Sequence, residues 1–186
     1  MVGLDVCRAL NHVHKSGFAH GDVRPANLIF DDNARIRLTG LGVKKSYSAS
    51  KMSIEQARYA APEIGQGAAP DAQTDIYSLA ITLIETMTGE VPFVAESVAI
   101  TLANRIDKLL PVSGDMGPLA APIERAGRPV AQERGTAFEF GQALTQIAGK
   151  MPRPKPIDTI ASKRFEDVIT RPNPIIPARK TQEIQV

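Results

Sequence analysis

The stretch His20-Gly21-Asp22-Val23-Arg24-Pro25-Ala26-Asn27 sets a histidine, an aspartate, an arginine and an asparagine directly ahead of the apolar run Leu28-Ile29-Phe30. A short polar loop that runs straight into a strand can aim Asp22 and Asn27 at one point. A carboxylate there can accept a proton, and a carboxamide oxygen can touch a hard cation. Arg24, between them, carries a fixed positive charge suited to a phosphoryl group.

Such a loop needs rigid elements on both sides. Upstream, Val6, Leu10 and Val13 recur at helical spacing and predict a helix over Leu4–Ser16, with Gly17 as its stop. Downstream, Leu28–Phe30 and Arg35–Leu38 read as two short strands joined by the turn Asp31-Asp32-Asn33. Ile76 to Met87 is apolar on nearly every side, which predicts a helix buried in the middle of the domain. Ser97–Leu110 reads as an amphipathic helix stopped by Pro111. Thr136 and Glu139 have the spacing of a capping box, opening a last helix that runs to about Ala148. The expected fold is mainly α with one small hairpin.

The chain's 186 residues suit one domain, and 43% hydrophobic against 23% charged excludes wholesale disorder. A net charge of +2, no tryptophan and 5% aromatics give nucleic acid neither an electrostatic footprint nor a stacking platform, so no nucleic-acid partner is expected. No apolar run is long enough for a membrane span, and Met1-Val2-Gly3-Leu4-Asp5 lacks the form of a signal peptide. Cys7, the single cysteine, can form no internal disulfide and fits a reducing, cytoplasmic setting. His12 and His14, two apart on one helix, point to different sides and make a poor metal pair; with Cys7 they read as surface or packing residues. Composition changes near Lys150. The last thirty-six residues hold six of the fourteen prolines and seven Lys/Arg against four Asp/Glu. Residues 150–186 are therefore expected to form a basic, proline-containing tail, semi-extended or disordered, with room for a short helix at Ser162–Ile169.

The polar loop resembles the catalytic loop of the protein kinase family, H-R-D-x-K-x-x-N, written here as H-G-D-V-R-P-A-N. Two further segments carry the likeness. Tyr59-Ala60-Ala61-Pro62-Glu63 is similar to the A-P-E end of a kinase activation segment, and Asp75-Ile76-Tyr77-Ser78-Leu79-Ala80 to the start of the buried central helix. Arg134 falls where the family places the arginine that pairs with the A-P-E glutamate, here Glu63. The resemblance runs from about Leu4 to Gly149. It implies a protein-kinase-like large (C-terminal) lobe over residues 1–149, with the N-terminal lobe absent, since neither a Gly-rich phosphate loop nor a lysine strand is found. It also implies ATP and Mg²⁺ as cofactors. By resemblance, Asp22 is the base, Arg24 steadies the γ-phosphate and Asn27 ligates metal. His20 is a core histidine packed against Leu41 with its backbone held by Asp75, and Glu63 and Arg134 form a structural pair.

The departures from the pattern bear on function. Gly40, in Leu38-Thr39-Gly40-Leu41-Gly42, stands where the family has the magnesium-binding aspartate of D-F-G, and glycine has no side chain to coordinate a metal. Gly21 and Leu41 replace the family's arginine and phenylalanine, and Gln56 falls near its activation-segment threonine. The expected function is a Ser/Thr-kinase-like pseudokinase fragment acting as a binding or scaffold module in signalling. The alternative is an ATP-dependent Ser/Thr protein kinase whose small lobe comes from other sequence or another chain. Either expects a protein partner. The H-G-D wording also resembles aminoglycoside and choline phosphotransferases, which lack the A-P-E and Asp75-Ile76-Tyr77-Ser78 features. Ser46, Tyr47, Ser48, Ser50 and Ser53, near Lys44, Lys45 and Lys51, are candidate phosphosites, as are Thr159, Thr170 and Thr181 in the tail.

Overall fold

Asp71 starts the longest helix among the described residues, α4 (Ala72–Thr88), through a reciprocal capping box: its carboxylate accepts the Thr74 N–H, and the Thr74 hydroxyl reaches back to the Asp71 backbone. Gly89 ends the helix in the left-handed conformation at φ 79°, which only glycine adopts without strain. Every residue from Thr74 to Ile84 is buried. The all-round apolar sequence has that consequence: α4 has no solvent face along this stretch and serves as the axis of the core. Cutting Ile76, Leu79 or Ile81 back to alanine is expected to cost about 2–5 kcal/mol.

In the computed structural model, residues 1–41 and 52–151 are described. The candidate phosphosites Ser46, Tyr47, Ser48 and Ser50, and the tail with its expected short helix and its threonines, lie outside these residues. Helix α1 (Val2–Lys15) buries Val6, Cys7, Leu10 and Val13 on one face. It packs on α4 and on α7 (Ala137–Ala148). Gly141 of α7 faces Cys7, where an added β-carbon would stand 3.2 Å from the Cys7 Cβ. The glycine lets the two helices approach closely. The Thr136–Glu139 capping box is present in both directions.

Strands β1 (Leu28–Phe30) and β2 (Ile36–Leu38) form an antiparallel hairpin, Ile29 opposite Arg37. Asp5 ties this hairpin to α1. Its carboxylate accepts a bidentate pair of bonds from Arg35 and the Ile36 N–H at 3.1 Å. Burial alone would raise the Asp5 pKa, but these hydrogen bonds and the Arg35 and Arg8 charges hold it below the usual carboxylate value. Short helices α2 (Ile54–Ala57) and α3 (Pro62–Gly65) precede α4; α5 (Val98–Ala103) and α6 (Ala120–Ala126) follow it.

One expected element is shorter than the sequence suggests. The helix expected over Ser97–Leu110 is regular only for Val98–Ala103, capped by the Ser97 hydroxyl, and the chain then turns, with Asp107 at φ 55°. The reason is Arg105. Its side chain is drawn into the interior to meet backbone carbonyls of other segments, which a continuing helix would not allow. Leu110 is then buried against Gly127.

Candidate functional site

The polar loop is held from beneath by α4. Asp75, 1% exposed, accepts the backbone N–H groups of His20 and Gly21, each at 2.7 Å. It also takes a bond at 2.9 Å from Nε2 of His14, on α1. One buried carboxylate thus joins α1, α4 and the loop. The Asp22 N–H donates to His20 Nδ1 at 3.3 Å. The His20 ring therefore carries its proton on Nε2, which donates to the Thr39 carbonyl at 2.8 Å. His20 is buried, as expected of a core histidine. Leu41, expected to pack on its ring, stands 52% exposed.

Above this base the three residues singled out for chemistry come together. Asp22 Oδ1 accepts from Arg24 Nε at 3.0 Å, and its Oδ2 accepts from Asn27 Nδ2 at 3.0 Å. Asn27 Nδ2 also donates to the Asp22 carbonyl at 2.6 Å. With the amide nitrogen turned to Asp22, the carboxamide oxygen faces the segment after β2. The Thr39 N–H donates to the Asn27 carbonyl at 2.8 Å and fixes that segment alongside. A β-carbon on Gly40 would lie 3.3 Å from Asn27 Oδ1. Gly40 itself has φ +84°, in the left-handed region.

That geometry tests the magnesium site directly. Mg²⁺ is held by one or two carboxylates together with substrate phosphates. Asn27 offers one hard oxygen at this point, and position 40, whose side chain would complete the pair, supplies none. Among the described residues no group of three His, Cys, Asp or Glu could hold a metal ion. The donor set does not fit the family's metal.

Beside Asp22 lies a narrow cleft of about 30 Å³, walled by Gly21, Gln56, Tyr59, Ala60, Ile64 and Pro70. Its outer wall, the segment from Ser53 to Gly65, is pinned at three points. Tyr59 Oη donates to Glu85 at 2.8 Å. Burial, with the Glu85 carboxylate beside it, pushes the Tyr59 pKa up to about 12. Glu63 and Arg134 form the expected pair, bidentate at 2.6 and 2.8 Å. Arg134 is fully enclosed, gives further bonds to three carbonyls and lies over the Tyr77 ring at 4.7 Å. The third point is Arg105, and neither it nor His14 was legible as a site residue. For His14 a signal existed: it continues the buried stripe Cys7, Leu10 at helical spacing. Arg105 carried none, because its partners lie far away in sequence.

The comparisons agree with this geometry. Residues 1–147 match the model of the protein kinase domain. A probable serine/threonine-protein kinase of Clostridium perfringens is 35% identical over 174 residues, covering 89% of this chain and 25% of that protein. Serine/threonine-protein kinase PknB of Mycolicibacterium smegmatis is 36% identical over 100 residues, covering 50% of this chain and 16% of that protein. PknB of Mycobacterium tuberculosis is 32% identical over 128 residues, 64% of this chain and 20% of the relative. The chain thus spans a quarter or less of these curated relatives. With the helical lobe, the loop on α4 and the Glu63–Arg134 pair in place, the chain belongs to the protein kinase family.

Proposed function

We propose that this chain is a pseudokinase: a lobe of a Ser/Thr-kinase-like protein that acts by binding another protein rather than by transferring phosphate. The observation that carries the reading is Gly40. It removes the carboxylate from a place where a side chain would meet Asn27 Oδ1, and with it the main protein ligand of a nucleotide-bound metal. Large apolar side chains at Phe18, Ile29, Phe30 and Leu41 remain exposed around the loop and hairpin, which suits a protein contact. In this reading residues 1–149 are the binding lobe and residues 150–186 a basic tail that adds to it. A cytoplasmic signalling role accords with the lone Cys7, whose thiol burial pushes up to about 12 and keeps unreactive.

A second reading is favoured by the convergence of Asp22, Arg24 and Asn27. In it the lobe is half of an ATP-dependent Ser/Thr protein kinase completed by a small lobe from other sequence. Asp22 would take the acceptor hydroxyl's proton, and Arg24 would face the phosphoryl group.

A thermal melt of the full chain with ATP, with and without Mg²⁺, separates the two. A ligand at about a hundred times its Kd adds roughly 2.7 kcal/mol to the folded state, a shift of several degrees. The binding reading expects no shift that requires both components, and no phosphate transfer to a serine-containing peptide. A joint Mg²⁺–ATP shift with transfer overturns it. Gly40→Asp, which returns a carboxylate beside Asn27, is the variant expected to acquire the metal response.

A further inference from the structure

The hairpin has two edges, and among the described residues only one is covered. The Asp31 N–H donates to the Arg35 carbonyl and the Thr39 N–H to the Asn27 carbonyl, at 2.8 Å each. With Ile29 opposite Arg37, the ladder bonds fall at every second residue, so the backbone groups of Leu28 and Phe30 point away from β2. On β2 the outward N–H of Ile36 is taken by Asp5 of α1, which packs along that strand. On β1 the Leu28 N–H turns back to the Pro25 carbonyl. Nothing among the described residues meets the Phe30 N–H or the Leu28 carbonyl. A strand edge with open backbone groups, carrying half-exposed Ile29 on one face and Phe30 on the other, is a template for a further strand.

The strand that fits this edge is its own copy. Antiparallel pairing centred on Ile29 sets Phe30 opposite Leu28 of the second copy. The Phe30 N–H then donates to that Leu28 carbonyl, and the two-fold axis repeats the bond. The side chains match in the same register. On the face turned to the core, Leu38 and Leu28 continue into Phe30 and Ile36 of the second copy, an apolar row that occurs twice. On the other face the two Ile29 side chains meet. The two Arg37 side chains stand three strand spacings apart, about 14 Å. Each is paired with Asp31 of its own chain, so like charges do not oppose one another. Sliding the strands toward the turn would instead set Asp31 and Asp32 against Ile29 and Leu28. Sliding them the other way runs off the strand, which begins at Leu28.

We propose that β1 is a homodimerisation edge: two copies pair it antiparallel through Leu28 and Phe30 into one four-stranded sheet, ordered β2–β1–β1–β2. The pairing does not depend on the loss of phosphate transfer at the Asp22 site.

Sedimentation of the full chain is expected to show a dimer that forms with rising concentration, and single cysteines then read the register. In Ile29→Cys the two thiols face each other in a non-hydrogen-bonded pair, where α-carbons stand about 4.5 Å apart, within the span of a disulfide. In Arg37→Cys, on the same face but one strand further out, the separation is too large to bridge. Cys7 is buried and adds no background. With copper phenanthroline as oxidant, Ile29→Cys is expected to form a disulfide-linked dimer at least tenfold faster than Arg37→Cys. Phe30→Pro removes the outward N–H without touching the hairpin's own ladder, and should sediment as a monomer. Should Phe30→Pro fail to fold, the cysteine pair decides alone. A wild-type chain that stays monomeric over a roughly hundredfold range of concentration overturns the proposal, as does a folded Phe30→Pro that still dimerises. Association with equal cross-linking rates for the two cysteines also overturns it. That last result would put the contact on another surface and leave the binding reading standing.

Discussion

Asp75 Oδ1 accepts the backbone N–H of Gly21 at 2.7 Å across 54 residues of sequence, so the deepest helix of the core sets the height of the loop that carries Asp22. A carboxylate can do this because it accepts at both oxygens. The same group receives the His20 N–H and the His14 ring, and no donor is left facing another donor. The stiffness of the loop thus derives from a single buried charge with three donors around it, rather than from loop sequence.

Asp75→Asn is expected to destabilise the chain by about 3 kcal/mol, since the amide nitrogen must face one of these backbone donors. The melting temperature should fall by roughly 6–12 °C, with exchange at Gly21 rising more than exchange within α7. A melt unchanged to within a degree would remove Asp75 from this role.

Glu63 and Arg134 are expected to couple strongly. Arg134 is fully enclosed, so Glu63→Gln leaves a buried guanidinium held by carbonyls alone, at a cost of about 3 kcal/mol. Arg134→Met should cost at least as much, because it also removes the bonds to Arg128, Gln73 and Pro129 and the contact over Tyr77. A double-mutant cycle read by urea denaturation should return a coupling of about 1–3 kcal/mol, and a value near zero would mean the pair is incidental.

Much of this site was legible in the sequence, and what was missed has a common cause. The His20–Asn27 loop, the hairpin, the Thr136–Glu139 box and α4 are written in residues close together, where spacing and capping chemistry speak directly. The Glu63–Arg134 pair, 71 residues apart, was reached only through resemblance. Arg105 was missed because its partners lie up to 48 residues away and nothing beside it announces a row of carbonyls; for His14 the stripe with Cys7 and Leu10 marks its face but not its partner, 61 residues away. The turn that shortens α5 follows from the same long-range pull on Arg105.

Alkaline titration should report the enclosure of two phenols. Burial pushes both Tyr59 and Tyr77 up to about 12, from an ordinary value of 10. The folded state then holds these protons more tightly than the unfolded state. Their contribution to stability is complete below pH 10 and is lost as pH rises toward 12. Tyr47 lies outside the described residues, so a Tyr47→Phe chain isolates the other two. Its phenolate absorbance is expected to stay low through pH 11 and then rise together with loss of helix. Two ordinary titrations centred at pH 10 in a still-folded chain would contradict the enclosure.

Apolar side chains around the loop and hairpin offer the surface through which the lobe would bind. Phe18 is 68% exposed, and Ile29, Phe30 and Leu41 are each about half exposed. Ile29 and Phe30 sit on the hairpin that Asp5 ties to α1, with Phe18 and Leu41 flanking the loop and hairpin. Large apolar side chains fixed in water are satisfied by a partner, and in a purified sample the available partner is a second copy. The full chain is therefore expected to self-associate in sedimentation at micromolar concentration. Ile29→Asp and Phe30→Asp should return it to a monomer with little change in melting temperature, since neither side chain belongs to the core. A wild-type chain that sediments as a single monomeric species over a hundredfold range of concentration would show that this face needs no cover, and would take away the surface on which protein binding was argued.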